Sequence, residues 1–390
     1  MKYNFDILAN RRNTDSYKWD VKDEELPMWV ADMDFMVFPG IVEALLRRVN
    51  IKAYGYSKIP EAYFEHLMWW WKEYHHTDIK REWMIYCSGV VPAISSVVRR
   101  ITKPSDNVIV QSPVYNIFYN SIINNQRKVL ENRLINNDGE YSIDFDDLEK
   151  KMMDEKTTLM ILCNPHNPIG HIWSKEELYK IGCLAKKYGV HVLSDEIHCD
   201  ITNPDEGYNS FLESSKENKD ISITCISASK VFNVAGLQAA AVIIPDEKLR
   251  AFIDRGLNND EIAEPNFFSM DANIAAFTKE GREWVNQLNE YIFNNKKYFV
   301  EELQKNCPKL GPIFGNATYL MWIDVSAYKL NSGLFAKRLR EETGLYISAG
   351  EIYGGEGEKF VRINLATSFE NVKDACMRMA KFVKILDEEK

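Results

Sequence analysis

The sequence predicts an α/β fold in which a mostly parallel, doubly wound sheet forms a large domain and a smaller α+β domain follows it. First, short apolar runs alternate with helix-like stretches from residue 84 onward, a pattern that favours a parallel sheet. Second, this alternation gives way after about residue 280 to a long helical stretch, strand-like runs and further helices. At 390 residues, the chain is too long for one ordinary core and suits roughly two domains.

The N-terminal part and the large domain are predicted as follows. Residues 1–45 show little periodicity, and we expect an irregular segment that joins the small domain. Helices are predicted near residues 38–49 and 61–74, and the large domain is placed at residues 46–285. Its buried strands are expected at MIYCSG, NVIVQS, TLMILC, VHVLSD, ISITCIS and LQAAAVIIP. Its helices are expected at PAISSVVRRI, SKEELYKIGCLAKKYG and KLRAFIDRGL.

The small domain is placed at residues 286–390. A long helix predicted from Arg282 to Asn306 leads into it. Its strands are expected at YLMWIDV, LYISAG and KFVRINLA, with a helix at LFAKRLREETG and a C-terminal helix from Glu370. Strands that are followed by helices suggest an α+β arrangement.

Composition narrows the class of protein. The apolar fraction is 45%, the charged fraction 27% and the net charge -9, which are ordinary values for a soluble globular protein. No long basic stretch points to nucleic acid, and no run approaches the length of a membrane span or a signal core. The seven cysteines are scattered without a C-x-x-C pair. We therefore expect a cytoplasmic protein with no metal site and no disulfide framework.

Candidate ligand-binding residues follow the strands, because ligands of open α/β sheets bind at the carboxyl ends of strands. SGVVPA, which begins at Ser88, places a glycine before a helix and offers free backbone N–H groups to a phosphate. Asn167 lies in the loop NPHNPIG, where two Asn-Pro units can hold an amide donor still. Either segment, taken alone, could be a plain turn.

Two further strand ends carry ionisable groups. Asp195 ends a strand and could pair with a cationic ring nitrogen, and His198 could face the same ligand. Ser227 and Ser229 suit a phosphate, and Lys230 beside them can form an imine with an aldehyde. The alternatives are a capping aspartate, a core histidine and a solvated lysine. Together, the four sites are what pyridoxal 5′-phosphate (PLP) requires: a phosphate cradle, an amide, a carboxylate and an amine.

These motifs resemble a known family of enzymes. The chain is similar over essentially its whole length to fold-type I PLP-dependent enzymes, which have the PLP-dependent transferase-like fold, in the aminotransferase class I/II superfamily. Within it, the chain most resembles the MalY/PatB-like cystathionine β-lyase (C–S lyase) branch. The motifs that carry the resemblance are WVADMDF, YGY, SGVVPAI, PVY, CNPHNPIG, SDEIH, SASKVFNVAGLQ and VRINLA.

The resemblance implies roles around the pyridine ring. Lys230 would bind PLP as a Schiff base and then move the α-proton of the substrate. Asp195 would pair with the ring nitrogen, Asn167 would bond the phenolic oxygen, and Tyr115 would stack on the ring as a catalytic-site aromatic. His198 stands where many relatives carry a tyrosine that contacts the same oxygen.

The resemblance also implies how the phosphate is held. The backbone N–H groups of Val90 and Val91 would bind it together with Ser227 and Ser229. Many aminotransferases place an arginine on the phosphate eight residues after the lysine, but here that position is Gln238. Neutralisation then depends more on backbone, hydroxyls and the helix dipole.

Substrate and partner contacts are implied in the same way. Arg362 would clamp the substrate α-carboxylate, with Asn167, Ala31 and Asp32 also at the substrate site. Tyr54 would reach the phosphate of a partner subunit, which implies a homodimer.

The implied reaction is α,β-elimination from L-cystathionine or related cysteine S-conjugates, which gives a thiol (homocysteine), pyruvate and ammonia in amino-acid metabolism and methionine biosynthesis. The residues serve transamination equally well, so an aminotransferase of a large or aromatic amino acid stays open. A regulatory protein that merely keeps PLP is a third alternative, which the intact lysine, aspartate and arginine disfavour.

Overall fold

A seven-stranded sheet dominates the computed structural model, which describes residues 2–389. The strands within these residues are β1 (Leu26–Pro27), β2 (Met84–Cys87), β3 (Asn107–Ser112), β4 (Lys128–Arg133), β5 (Ile135–Asn137), β6 (Glu140–Ser142), β7 (Thr157–Cys163), β8 (His191–Asp195), β9 (Ser222–Ile226), β10 (Ala240–Ile243), β11 (Gly311–Ile313), β12 (Leu320–Asp324), β13 (Leu345–Tyr346), β14 (Ser348–Ala349) and β15 (Phe360–Asn364).

Helices separate and cover these strands. Those found in residues 2–389 are α1 (Pro39–Val49), α2 (Glu61–His75), α3 (Val90–Ile101), α4 (Ile117–Ile123), α5 (Phe145–Met152), α6 (Lys175–Tyr188), α7 (Lys216–Ile221), α8 (Glu247–Asn259), α9 (Ser269–Ala276), α10 (Lys279–Asn306), α11 (Ser332–Thr343) and α12 (Phe369–Glu388). None of them is both long and apolar enough to cross a lipid bilayer.

The large sheet confirms the mostly parallel prediction. Its order is β2-β10-β9-β8-β7-β3-β4, and the neighbours β9, β8, β7, β3 and β4 run parallel. The exception is β10, which runs antiparallel to both β2 and β9. The carboxyl ends of β7, β8 and β9 therefore meet at one edge, where Cys163 pairs with Asp195 and Asp195 pairs with Cys225.

Most predicted strands and helices lie where the sequence placed them, with small shifts, but the single strand expected at LYISAG is two short strands, β13 and β14, in different sheets. The long helix α10 begins at Lys279 rather than Arg282, because the Thr278 side chain accepts a hydrogen bond from the Gly281 N–H and caps it. The Ser174–Glu177 pair forms a complete capping box on α6. The sequence reading missed β4, which is polar because it is an edge strand with one neighbour.

The C-terminal part contains a four-stranded antiparallel sheet in the order β11-β12-β15-β14. Strand β1 pairs in parallel with β13, and Leu26 and Met28 are buried in the core that α11, α12 and this sheet share. By contrast, Met33 and Phe35 are buried in the core around α2 and α10. The N-terminal segment thus packs against both parts of the molecule, and the domain boundaries at residues 45 and 285 stay a prediction.

Candidate active site

A cavity of about 220 Å³ lies where β7, β8 and β9 end and α3 begins. It brings together nine of the residues predicted from the sequence. These are Ala31, Val90, Val91, Tyr115, Asn167, Asp195, His198, Ser229 and Lys230. The cavity lining that the sequence reading did not assign consists of Ser88, Gly89, Pro92, Cys163, Ile197, Ala235 and Gln238.

Lys230 follows β9 in a turn and points into this cavity. Its Nζ donates a hydrogen bond to the carbonyl oxygen of Ala31 at 2.7 Å. Burial and, to a smaller extent, the positive charge of Arg362 lower the pKa of Lys230 to about 8, against the opposing charges of Asp32 and Asp195. A lysine with such a pKa is neutral more often than a surface lysine, and a neutral amine is both a nucleophile and a base.

Asp195, the last residue of β8, is buried and lines the same cavity. Its Oδ1 accepts the Ile197 N–H at 3.2 Å. Burial raises the pKa of this carboxyl to about 7, while the Ile197 N–H and the Lys230 charge hold it down. A buried carboxylate without a close cation is costly, and a cationic ring nitrogen would supply one. The residues therefore fit a protonated pyridine.

The third wall is the N-terminus of α3, where Gly89 is the N-cap residue and no side chain caps the helix. Ser229 and Gln238, the latter held at φ 51°, line the same cavity. Free helical N–H groups with a hydroxyl suit a phosphate. Ser227 departs from the expectation: its hydroxyl donates to the Ala239 carbonyl at 2.6 Å and contacts the Ser229 hydroxyl, so it supports the wall without lining it.

Arg362 enters from the middle of β15 and is only 4% exposed. Its Nη1 donates to the Asn167 Oδ1 at 3.2 Å and its Nη2 to the Trp29 carbonyl at 3.0 Å, while Nε is buried without a partner. Within residues 2–389, no carboxylate lies within ion-pair distance of this guanidinium, whereas other arginines, such as Arg11 and Arg340, are ion-paired. A buried, unpaired arginine beside the cavity suits an incoming carboxylate.

Two aromatic side chains complete the cavity. Burial lowers the pKa of His198 to about 3, so the imidazole is neutral, and its Nδ1 has no partner among the described residues. Its ring meets the Tyr319 ring edge-on at 6.0 Å. Burial raises the pKa of Tyr115 to about 12, which keeps that phenol protonated.

Asp32 does not line the cavity, and its expected place beside the substrate stays a prediction. Its carboxylate pairs with Arg11 at 2.6 Å and lies 3.8 Å from the Lys18 Nζ. These contacts anchor the segment of residues 29–35, here called the strap. Neither Arg11 nor Lys18 was singled out from the sequence, because their partners lie in a segment without periodicity.

Backbone carbonyls hold the strap across the cavity. The Trp29 carbonyl accepts from Ser348 at 2.9 Å as well as from Arg362, and the Val30 carbonyl accepts from Asn364 at 2.7 Å. Further side chains among the described residues donate to the strap carbonyls: Lys230 and Tyr319 to Ala31, Asn364 and Lys18 to Asp32, Arg11 and Asn233 to Met33, and Asn233 to Phe35. Most of these donors come from distant positions in the chain, so no local sequence pattern announces them.

Tyr54 lies away from the cavity of its own chain. Its hydroxyl donates to the Val49 carbonyl at 2.9 Å, and its ring leans on Phe267 and Phe268. The side chain is 55% exposed, and Tyr56 beside it is fully exposed. Tyr54 therefore makes no contact with the cavity within a single chain.

Comparison with known proteins agrees with this geometry. The chain is 39% identical over 382 residues to "Cystathionine beta-lyase PatB" of Bacillus subtilis, covering 96% of this chain and 98% of that one. It is 29% identical to "Protein MalY" of Escherichia coli over 93% of this chain and 94% of that one. The solved structure of a PLP-bound C–S lyase from Staphylococcus hominis superposes with a TM-score of 0.92 at 32% identity, covering 98% of both chains. The model of the aminotransferase class I and II family matches residues 26–379, and the chain belongs to that PLP-dependent family.

Proposed function

We propose that this protein is a PLP-dependent carbon–sulfur β-lyase, which cleaves L-cystathionine or related cysteine S-conjugates with water into a thiol, pyruvate and ammonia. One observation carries the proposal: the Lys230 amine, with its pKa lowered to about 8, shares a cavity with the buried Asp195 carboxylate. The names of PatB and of the Staphylococcus hominis C–S lyase support elimination as the reaction.

PLP, when bound, supplies a cationic ring that stabilises negative charge at the substrate α-carbon. In our proposal, the Asp195 carboxylate keeps the proton on the ring nitrogen. The uncapped N-terminus of α3 and the Ser229 hydroxyl bind the phosphate, with Ser227 behind them. Tyr115 covers a ring face, and the neutral His198 adds no charge that would compete with the ring.

Substrate handling falls to three side chains. Arg362 binds the α-carboxylate, and its bond to Asn167 fixes the guanidinium plane. The Asn167 oxygen is engaged by that bond, so its N–H₂ group is the end that can donate to a ligand oxygen. The Lys230 amine, in its neutral form, would remove the α-proton of the substrate as a base.

The reaction type is tested with purified, PLP-loaded protein and L-cystathionine, in the absence of any 2-oxo acid. We expect pyruvate and free thiol in equal amounts over many turnovers, measured by lactate dehydrogenase coupling and a thiol reagent. If turnover requires a 2-oxo acid, the lyase proposal is wrong and the aminotransferase alternative replaces it. The Lys230→Ala variant is the control, because it lacks the base.

We also propose a homodimer in which Tyr54 reaches the phosphate of the partner. Tyr54 is half exposed, and the exposed apolar residues Leu46, Ile51 and Tyr56 are close to it in the sequence, which suits a surface that subunits bury. The test mixes two inactive variants, Tyr54→Ala and Lys230→Ala, and exchanges their subunits. Each hybrid dimer would contain one complete site, so activity should return. If activity does not return, Tyr54 does not act across the interface.

A cytoplasmic location and a place in methionine synthesis complete the proposal. All seven cysteines are free thiols, which suits a reducing compartment. The expected thiol product, homocysteine, is one methyl group short of methionine. Growth of a strain that lacks its own cystathionine lyase, on medium without methionine, tests the pathway, and cell fractionation tests the location.

A further inference from the structure

The carbonyl oxygen of Ala31 accepts two hydrogen bonds inside the cavity wall. One comes from the Lys230 Nζ at 2.7 Å and the other from the Tyr319 hydroxyl at 2.9 Å. No other side chain is recorded as bonding this oxygen in residues 2–389. The lysine must change its place when it binds a cofactor, whereas the tyrosine has no reason to move. The hydrogen bond from Lys230 is therefore lost on cofactor binding, whereas the one from Tyr319 persists.

Tyr319 is held rigidly in place. It is fully buried just before β12, its backbone carbonyl accepts the Leu365 N–H at 2.8 Å, and its ring meets His198 edge-on. Burial raises the pKa of this phenol above its usual range, and the nearby Asp32 raises it further, so the hydroxyl stays protonated and donates. Such a donor keeps its bond whatever the lysine does.

We propose that Tyr319 is a positioning residue, which holds the Ala31 carbonyl as the resting acceptor for the free Lys230 amine and keeps that oxygen bonded when the lysine engages PLP. The inference rests on the proposed binding of PLP at Lys230. Without Tyr319, engagement of the lysine would leave a buried carbonyl without any hydrogen bond, which is costly. Tyr319 therefore lowers the cost of moving the lysine from the strap to the cofactor.

The test compares two ligands of the apoprotein. PLP carries the aldehyde that reacts with the lysine, whereas pyridoxine 5′-phosphate carries an alcohol and leaves the lysine on Ala31. The Tyr319→Phe variant should bind PLP roughly tenfold more weakly, the size expected when a buried acceptor loses its last bond, and should bind pyridoxine 5′-phosphate with unchanged affinity. Equal weakening of both ligands, or no weakening of PLP, would overturn the proposal.

A second measurement uses the Lys230→Ala background, in which no lysine moves. There, Tyr319→Phe should leave PLP affinity unchanged, and a tenfold loss that persists would overturn the proposal. The matched control is Tyr141→Phe, which removes a phenol that donates to Glu356 at 3.3 Å away from the cavity and should change neither affinity. If Tyr319→Phe does not fold, Tyr319→Met takes its place, because its flexible apolar side chain adapts to the space and carries no hydroxyl.

Failure of this inference is separable from failure of the proposed function. A protein that binds neither phosphate compound contradicts the assignment of the cavity itself. A protein that binds PLP through Lys230, yet shows the same affinity ratio with and without the Tyr319 hydroxyl, contradicts only the role of Tyr319.

Discussion

Replacing Arg362 by lysine would keep one positive charge at the cavity but remove the planar fork. Arg362 donates hydrogen bonds from Nη2 to the Trp29 carbonyl and from Nη1 to the Asn167 Oδ1, and the remaining N–H groups of its guanidinium can still bind a carboxylate. Lysine cannot meet these acceptors and a carboxylate in one plane. One charge-assisted hydrogen bond is worth about 2 kcal/mol, so binding of the substrate carboxylate should weaken roughly 30-fold. The fold should survive, because Ser348 still donates to the Trp29 carbonyl.

Spectral titration of the PLP-loaded protein measures this loss. L-Alanine has the carboxylate but no leaving group, and ethylamine is its counterpart without the carboxylate. We expect Arg362→Lys to weaken the binding of L-alanine roughly 30-fold and to leave the binding of ethylamine nearly unchanged. Arg340→Lys is the control, since Arg340 pairs with Glu25 away from the cavity. Equal losses for both ligands would refute the assignment of Arg362 to the carboxylate.

Three further outcomes follow from the structure. The rate at which the apoprotein takes up PLP should rise with pH and level off above about pH 8, because the reactive form of Lys230 is the neutral amine; a midpoint near the ordinary lysine value would contradict this. Because folding raises the pKa of Asp195 to about 7, the native apoprotein holds more protons than the unfolded chain between about pH 4 and 7. Its stability should therefore fall as pH rises through that range, and Asp195→Asn should flatten this part of a profile of melting temperature against pH. Gly315→Ala should destabilise the protein by about 1–3 kcal/mol in denaturant titrations, since its Cβ would stand 2.6 Å from the Gly170 carbonyl, whereas Gly207→Ala meets nothing within 4 Å and should be neutral.

Much of the cavity was predictable because parallel strands put their carboxyl ends at one edge. Lys230, Asp195 and Asn167 each follow an apolar run of strand length, and the alternation with helices shows that the runs are neighbours. Strand ends of this kind can be located from the sequence without any knowledge of tertiary contacts. The same logic located the start of α3 as a wall of the site.

The remaining features depend on contacts between distant residues. Tyr319 reads as one more aromatic in a strand-like run, and only the folded chain brings its hydroxyl to Ala31, 288 positions away. The strand β10 looks like its parallel neighbours in sequence, because burial on both faces gives either direction the same apolar run. The ion pair of Asp32 with Arg11 could not be predicted, because a carboxylate in a sequence gives no sign of whether it faces a ligand or a neighbouring arginine.

The strap has a consequence for how this enzyme could change over time. Its bonds to Arg362, Asn364 and Tyr319 run to main-chain oxygens, and every residue type carries the same main-chain oxygen. Those bonds therefore place no demand on the identity of the side chains, whereas Asp32, Asp34, Met33 and Phe35 hold the segment through side chains of their own. A library that randomises the half-buried Val30 could change the surface beside Ala31 and shift substrate preference, while the lysine and arginine keep their anchors.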